Sequence, residues 1–291
     1  MTENDFLNEV YTYIGDTYNL FENYQKSVWN IFTVFNNLCR KNKIVYYMGF
    51  GSLIGIVRDK GPIPWDYDVD TIVRVNDKDK LLRILKESLP ESYYYTYTDC
   101  IRDYPTTCLR ICKKGFPFTA IHLDVYFMIG LPDDNPQKLV NKIDYYHKLR
   151  NIKYGNKWFP DESDSHNSSL INFARKLRND LISSRRIENF EKKVLVKYPL
   201  ENSTYCSIVG DPYLKVYNTK DFEATIDVEV NNVKIAIPSG YDHFLTEIYG
   251  DYHKYLPISN RFSEFYHMTE IVKKRNNLMN SKYSNVFQFC K

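Results

Sequence analysis

Residues 49–73 read GFGSLIGIVRDKGPIPWDYDVDTIV, and no other stretch constrains the fold as strongly. A glycine-rich turn (Gly49, Gly51, Ser52) leads into a short segment of helical pattern, residues 52–59. The two prolines of KGPIPW, residues 60–65, exclude a helix interior and a central strand. Asp66, Asp68 and Asp70 then alternate into the apolar run 69–75, which reads as a strand. A two-residue period predicts that all three carboxylates share one face. Anions that close repel unless a cation sits among them. Hard divalent ions such as Mg²⁺ or Mn²⁺ favour carboxylate oxygens.

A second acid stands alone in an apolar strand, IHLDVYF, residues 121–127. Ile121, Leu123, Val125 and Phe127 face one way; His122, Asp124 and Tyr126 face the other. An aspartate there is costly unless paired or coordinated. If this strand neighbours the one carrying Asp70, then Asp68, Asp70 and Asp124 form a three-carboxylate metal site. Two ions held there suit phosphoryl transfer, activating the attacking hydroxyl and stabilising the leaving oxygen. Gly51 and Ser52 precede a helix start, where backbone N–H groups favour phosphate.

The remaining pattern is mixed. Residues 17–43 read as an amphipathic helix, with Asn19 and Glu22 as a capping box. Residues 44–48 form a short strand, and Asn76 caps a helix running to Leu89. Strands follow at 93–98, 107–112 and 119–129. The middle, about 133–200, is more polar and mostly helical, with a loop at 161–169. Strand signals return at 205–209 and 224–237, the latter a hairpin turning at Asn231-Asn232. Ser239 with Asp242 caps a helix that Gly250 ends, and a last amphipathic helix covers about 263–276. Strands mixed with helices in irregular order indicate α/β or α+β.

Composition excludes several classes. With 39 basic and 36 acidic residues the formal charge is +3, which gives no case for a nucleic-acid partner. No apolar run is long enough to span a bilayer, and MTENDFLNEV lacks the features of a signal peptide. The expectation is a cytoplasmic protein with at most peripheral contact, at the inner membrane surface. Six cysteines without a CxxC pair read as free thiols; a zinc site from Cys100, Cys108 and Cys112 is the minor alternative.

GSLIGIVRDKGPIPWDYDVD resembles the signature of the LicD family, which includes the fukutin-related proteins and shares the nucleotidyltransferase fold. TCLRI at 107–111, HLDVYF at 122–127 and IPSGYDHFLTEIYGDYHKYLP at 237–257 are similar to later family segments, and Arg261 and His267 stand where its trailing basic residues occur. Ser52 replaces the family's threonine, Asp59 its histidine and Tyr67 its middle acid. Glu229 matches only loosely.

The resemblance implies a nucleotidyltransferase-like mixed sheet flanked by helices. The expected divisions are an N-terminal helical region (1–43), a catalytic core (44–130), a mostly helical segment (131–204) and a C-terminal hairpin and helices completing the same domain (205–291). It also implies transfer of a phospho-alcohol, phosphocholine or polyol phosphate, from a cytidine-diphosphate (CDP)-linked donor. The acceptor is a hydroxyl of a cell-surface glycan or its precursor, lipid-linked or free.

Asp68, Asp70 and Asp124 are the expected metal ligands. Asp124 or Asp66 is the expected base, although Asp66 equally suits a cap of the turn after Trp65 or a partner for Arg58. Arg58 and Lys60 suit the donor diphosphate or a helix end, and Arg110 suits a ligand contact or an ion pair. His122 is a proton shuttle or a structural hydrogen-bonder. The rival activities are a nucleotidyltransferase using a nucleoside triphosphate, a glycosyltransferase and a non-catalytic glycan-binding protein.

Overall fold

Strand β5 (His122–Gly130) organises the molecule: all nine of its residues are buried. Along one edge it pairs in parallel with β2 (Asp70–Arg74). The other edge is shared by two antiparallel partners. β4 (Leu109–Lys113) takes the first half and β6 (Tyr205–Val209) the second. Outward from these, β1 (Tyr46–Met48) pairs with β2, β3 (Tyr93–Thr96) with β4, and β7 (Tyr217–Asn218) with β6. This is a mixed sheet flanked by helices, as expected. The computed structural model describes residues 16–98, 104–116, 118–155, 179–211, 213–257 and 260.

Helix α1 (Asp16–Lys41) buries Phe21, Tyr24, Val28, Ile31, Phe32, Phe35 and Cys39, a stripe at three- and four-residue spacing. It packs against β5 and β4. Its last turn fixes a second, two-stranded sheet of β8 (Thr225–Val230) and β9 (Val233–Pro238). Arg40 grips Asp227 there with two hydrogen bonds, of 2.7 and 3.2 Å. The β8–β9 turn is Asn231-Asn232, both at positive φ (51° and 62°), as a two-residue hairpin turn requires. Among the described residues the other α-helices are α2 (Phe50–Ile54), α3 (Lys78–Ser88), α4 (Pro136–Arg150), α5 (Ser184–Lys197) and α6 (Tyr241–Tyr249).

Several local expectations fail. Helix α1 already begins at Asp16, so Asn19 and Glu22 lie inside it. Strand β1 starts two residues later than expected, because the Ile44 N–H is used to close the end of α1 on Cys39 O at 2.9 Å. Asn76 does not cap α3: a 3₁₀ turn, Val75–Asp77, intervenes, and the Asn76 amide bonds Glu201 instead. Ser239 does not cap α6, since its hydroxyl accepts the Ala224 N–H across the hairpin. Gly250 does end α6, at φ 69°. The loop at 161–169, the helix at 263–276, Arg261 and His267 lie outside the described residues.

Candidate active site

The site forms where β2 and β5 begin. Asp70 is the first residue of β2, and its register partner on β5 is Asp124. The two acids therefore sit on neighbouring strands at the same level, about 4.8 Å apart in the pairing direction. Asp66 and Asp68 do not belong to the strand. They lie in the extended loop before it, so their approach to Asp70 comes from loop packing rather than strand alternation. Helix α1 holds that loop: Gln25 Nε2 donates to Ile63 O at 3.1 Å and to Asp66 O at 2.8 Å.

The glycine-rich turn packs directly on the acids. Ser52 is buried and its hydroxyl accepts the Asp70 N–H at 3.0 Å. The Gly49 N–H donates to Asp70 O at 2.9 Å. A Cβ on Gly51 would stand 2.9 Å from Asp66 Oδ2, so a side chain there would press on the acid. Gly51 and Ser52 thus set the positions of Asp66 and Asp70. The helix starts at Phe50, earlier than expected, and turns into a π-helical segment, Gly55–Asp59.

Charge is distributed unevenly. Burial first, then Asp68, Asp124, Asp66 and Asp211, pushes the Asp70 carboxyl well above the usual range. Asp66 is also raised, by burial and by Asp68, with which it shares a carboxyl–carboxyl hydrogen bond. Asp124 behaves oppositely. Burial alone would raise it, but Arg110 and then His122 hold it far below the usual range. Arg110 Nε donates to Asp124 Oδ1 at 2.8 Å, and Cys108 Sγ donates to the same oxygen at 3.1 Å. His122 Nε2 lies 3.6 Å from Asp124 Oδ2, while its Nδ1 bonds Ala120 O at 2.5 Å.

Arg58 is bound to Asp59 by two 2.8 Å hydrogen bonds. It also donates to Tyr252 O at 3.1 Å and lies 4.3 Å from the centre of the Tyr255 ring. Lys60 Nζ curls back to Val57 O at 3.0 Å. Cys39, Cys108, Cys112 and Cys206 are buried free thiols; Cys100 lies outside the described residues.

The donor set fits a hard divalent cation in chemistry. Three carboxylates crowd one loop and strand end, two share a hydrogen bond, and a bound cation relieves that repulsion. Among the described residues, however, no three acidic, histidine or cysteine side chains are gathered into a ready metal cage.

Residues 43–161 match the family model for the LicD/FKTN/FKRP nucleotidyltransferase domain. Over that span the chain is similar to the LicD family. It is 27% identical over 246 residues to the lipopolysaccharide cholinephosphotransferase LicD of Haemophilus influenzae, covering 78% of this chain and 89% of that protein. It is 31% identical over 102 residues to an uncharacterised protein, RP689, of Rickettsia prowazekii, covering 33% of this chain and 38% of that one.

Beyond the LicD domain's matched span, the fold adds an acid that the sequence pattern alone does not single out. Asp211 follows β6 through Gly210, whose φ is 93°. It is 2% exposed, and burial pushes its carboxyl up to about 6. Its charge is felt at Asp70. The signal was present in an aspartate directly after the apolar run YCSIVG. Without knowing that β6 pairs with β5, nothing linked it to the other acids.

Proposed function

We propose that this chain is a Mg²⁺- or Mn²⁺-dependent phosphotransferase. It moves a phospho-alcohol, phosphocholine in the first instance, from a CDP-linked donor to a hydroxyl of a cell-surface glycan or its precursor. The carrying observation is the pairing of Asp70 with Asp124 beside Asp66 and Asp68, in a chain related to a lipopolysaccharide cholinephosphotransferase over most of both lengths.

Asp68, Asp70 and Asp124 would hold the ions. When bound, they supply positive charge at the transferring phosphoryl group and ease deprotonation of the acceptor hydroxyl. Ser52 fixes Asp70 through its backbone N–H, and Arg110 fixes Asp124. Asp66, whose carboxyl burial and then Asp68 raise, would accept the acceptor's proton. The Gly51-Ser52 turn lets the donor's phosphates approach; Arg58 stands on the helical segment that follows, and Lys60 caps its end. The acceptor oxygen bonds to the distal phosphorus of the donor while the bond to the cytidine monophosphate (CMP) oxygen breaks. Among the described residues no helix is long and apolar enough to cross a membrane. The proposal has a lipid-linked glycan met at the inner membrane surface, from the cytoplasm.

The test is product release. The protein is incubated with Mg²⁺ or Mn²⁺ and CDP-choline, CDP-ribitol, CDP-glycerol or nucleoside triphosphates. CMP from a CDP-alcohol supports the reading. Pyrophosphate from a triphosphate, with no CMP, would replace it with nucleotidyl transfer.

A further inference from the structure

Arg58 and Asp59 end the π-helical segment that leads into the proline loop, and they are bound to each other. Arg58 Nε and Nη2 each donate to a different Asp59 carboxyl oxygen at 2.8 Å. Nη1 donates to Tyr252 O at 3.1 Å, and the Tyr255 ring covers one face of the guanidinium at 4.3 Å. All three nitrogens are thus engaged. The two side chains are only 12% and 10% exposed. A carboxylate held in this way cancels the arginine's charge, and a phosphate would have to displace it from a two-bond contact.

The remaining partners come from one segment, residues 251–257, which follows Gly250 at the end of α6. Tyr252 anchors it: the residue is buried, and its hydroxyl donates to Asp242 Oδ1, in the first turn of α6, at 2.7 Å. Tyr255 does the fastening. Its hydroxyl donates to Asp59 Oδ1 at 2.7 Å, and its ring meets that of buried Trp65 at 6.4 Å and 64°. Trp65 directly precedes Asp66, whose N–H closes a turn on Ile63 O at 3.0 Å. The segment therefore touches the proline loop at both ends, at Arg58-Asp59 and at Trp65. Between them the loop carries only the Gln25 bonds to Ile63 and Asp66 already described.

We propose that Arg58, Asp59 and Tyr255 are positioning residues. They buckle residues 251–257 onto the proline loop and so place Asp66, and Arg58 is not a contact to the donor diphosphate. This rests on the phosphotransferase reading for the step that Asp66 serves, and adds to it how that acid is placed.

The experiment measures kcat and KM for CMP release from CDP-choline with Mg²⁺, with melting curves as the folding control. Arg58→Lys and Asp59→Asn should each lower kcat about 10-fold or more while KM changes less than about 3-fold. The double variant should be no slower than the slower single one, because both remove the same contact. Tyr255→Phe, which keeps the ring on Arg58, should retain more of kcat than Tyr255→Leu. A donor contact gives the reverse pattern: Arg58→Lys raises KM at unchanged kcat, and Asp59→Asn, which frees a cation, lowers KM. Either of those results would overturn the proposal. If Arg58→Lys and Asp59→Asn melt early, Tyr255→Phe decides: a lower kcat at constant KM sustains the buckle, and an unchanged kcat overturns it.

Failure of the phosphotransferase reading looks different: the wild type releases CMP from no CDP-alcohol. The buckle is then judged by amide hydrogen exchange. Asp59→Asn should speed exchange within residues 61–66 and 251–257 about 10-fold or more, with β5 unchanged. Unchanged exchange in both stretches overturns it.

Discussion

Asp70 and Asp124 are register partners on adjacent parallel strands, yet their carboxyl groups are held in opposite directions. The strand geometry treats them alike; their neighbours do not. Asp124 is fixed by Arg110 at 2.8 Å, whereas Asp70 is pressed by burial and by four other acids. One member is therefore neutralised within the protein. The other is left in a field that only a proton or an added cation can relieve.

The first prediction concerns pH and metal. A group whose folded pKa is raised stabilises the fold fully below its unfolded value, about 3.9 for an aspartate, and that contribution is lost as pH rises through the folded value. Asp66 and Asp70 are of this kind. In chelator at pH 7.5, Asp70→Asn should therefore melt higher than wild type, with the gap closing toward pH 4. Mg²⁺ or Mn²⁺ should raise the wild-type melting temperature more than that of Asp70→Asn, and the variant should release CMP at least about 100-fold more slowly. A variant that melts lower than wild type in chelator at pH 7.5 would contradict the account.

The second concerns Arg110. Its guanidinium is buried against Asp124, and although burial alone would lower its pKa, Asp124 drives it well above the usual value. Arg110→Met leaves a buried carboxylate without its partner, at a cost of about 3–5 kcal/mol in urea unfolding. The double variant Arg110→Met with Asp124→Leu should recover most of that stability. CMP release should be lost in the double variant, which separates the folding role of the pair from the catalytic role proposed for Asp124.

These residues also show what the sequence could reveal. The strand carrying Asp124 was legible because an acid inside an apolar run is tolerated only where a partner or a cation meets its charge, and β6 was read to the residue as 205–209. The three alternating aspartates were legible as a group but not as geometry. A proline-containing loop, not a strand, delivers Asp66 and Asp68, and the hydrogen bonds from Gln25 that shape it span about forty residues. Helix caps were misread at Asn76 and Ser239 because both side chains found tertiary partners, Glu201 and Ala224. Such partners leave no local signature.

The third prediction concerns acid sensitivity away from the site. His147 lies in the last turn of α4, where a cation is ordinarily favoured. Burial, and then the charge of Arg150, nevertheless lower it to about 4, and it shares a 3.0 Å hydrogen bond with Thr107. Its folded pKa lies below the unfolded value of 6.5, so its stabilisation is present above pH 6.5 and is lost as pH falls toward 4. The loss should reach about 3 kcal/mol at most. His147→Gln should flatten this part of the pH–stability curve; an unchanged slope between pH 6.5 and 4.5 would show that another group controls it.

The last prediction tests the loop that brings Asp66 to the site. A Cβ on Gly55 would stand 2.5 Å from Gly61 O and 3.0 Å from Ile63 N, both backbone atoms that no side-chain rotation can clear. The Gly61 N–H already donates to Gly55 O at 3.2 Å, so the π-helical turn and the loop are clamped together. Gly55→Ala must push residues 61–63 outward, against the Gln25 bonds that hold Ile63 and Asp66. Overpacking of this kind costs about 1–3 kcal/mol. Misplacing a reacting group by about 1 Å can cost on the order of 100-fold in rate. Gly55→Ala should therefore melt lower and release CMP at least about 10-fold more slowly. Gly61→Ala, whose added Cβ meets nothing within 4 Å, should leave both near wild type. If the two alanine variants prove equally active, the packing of this loop does not position Asp66.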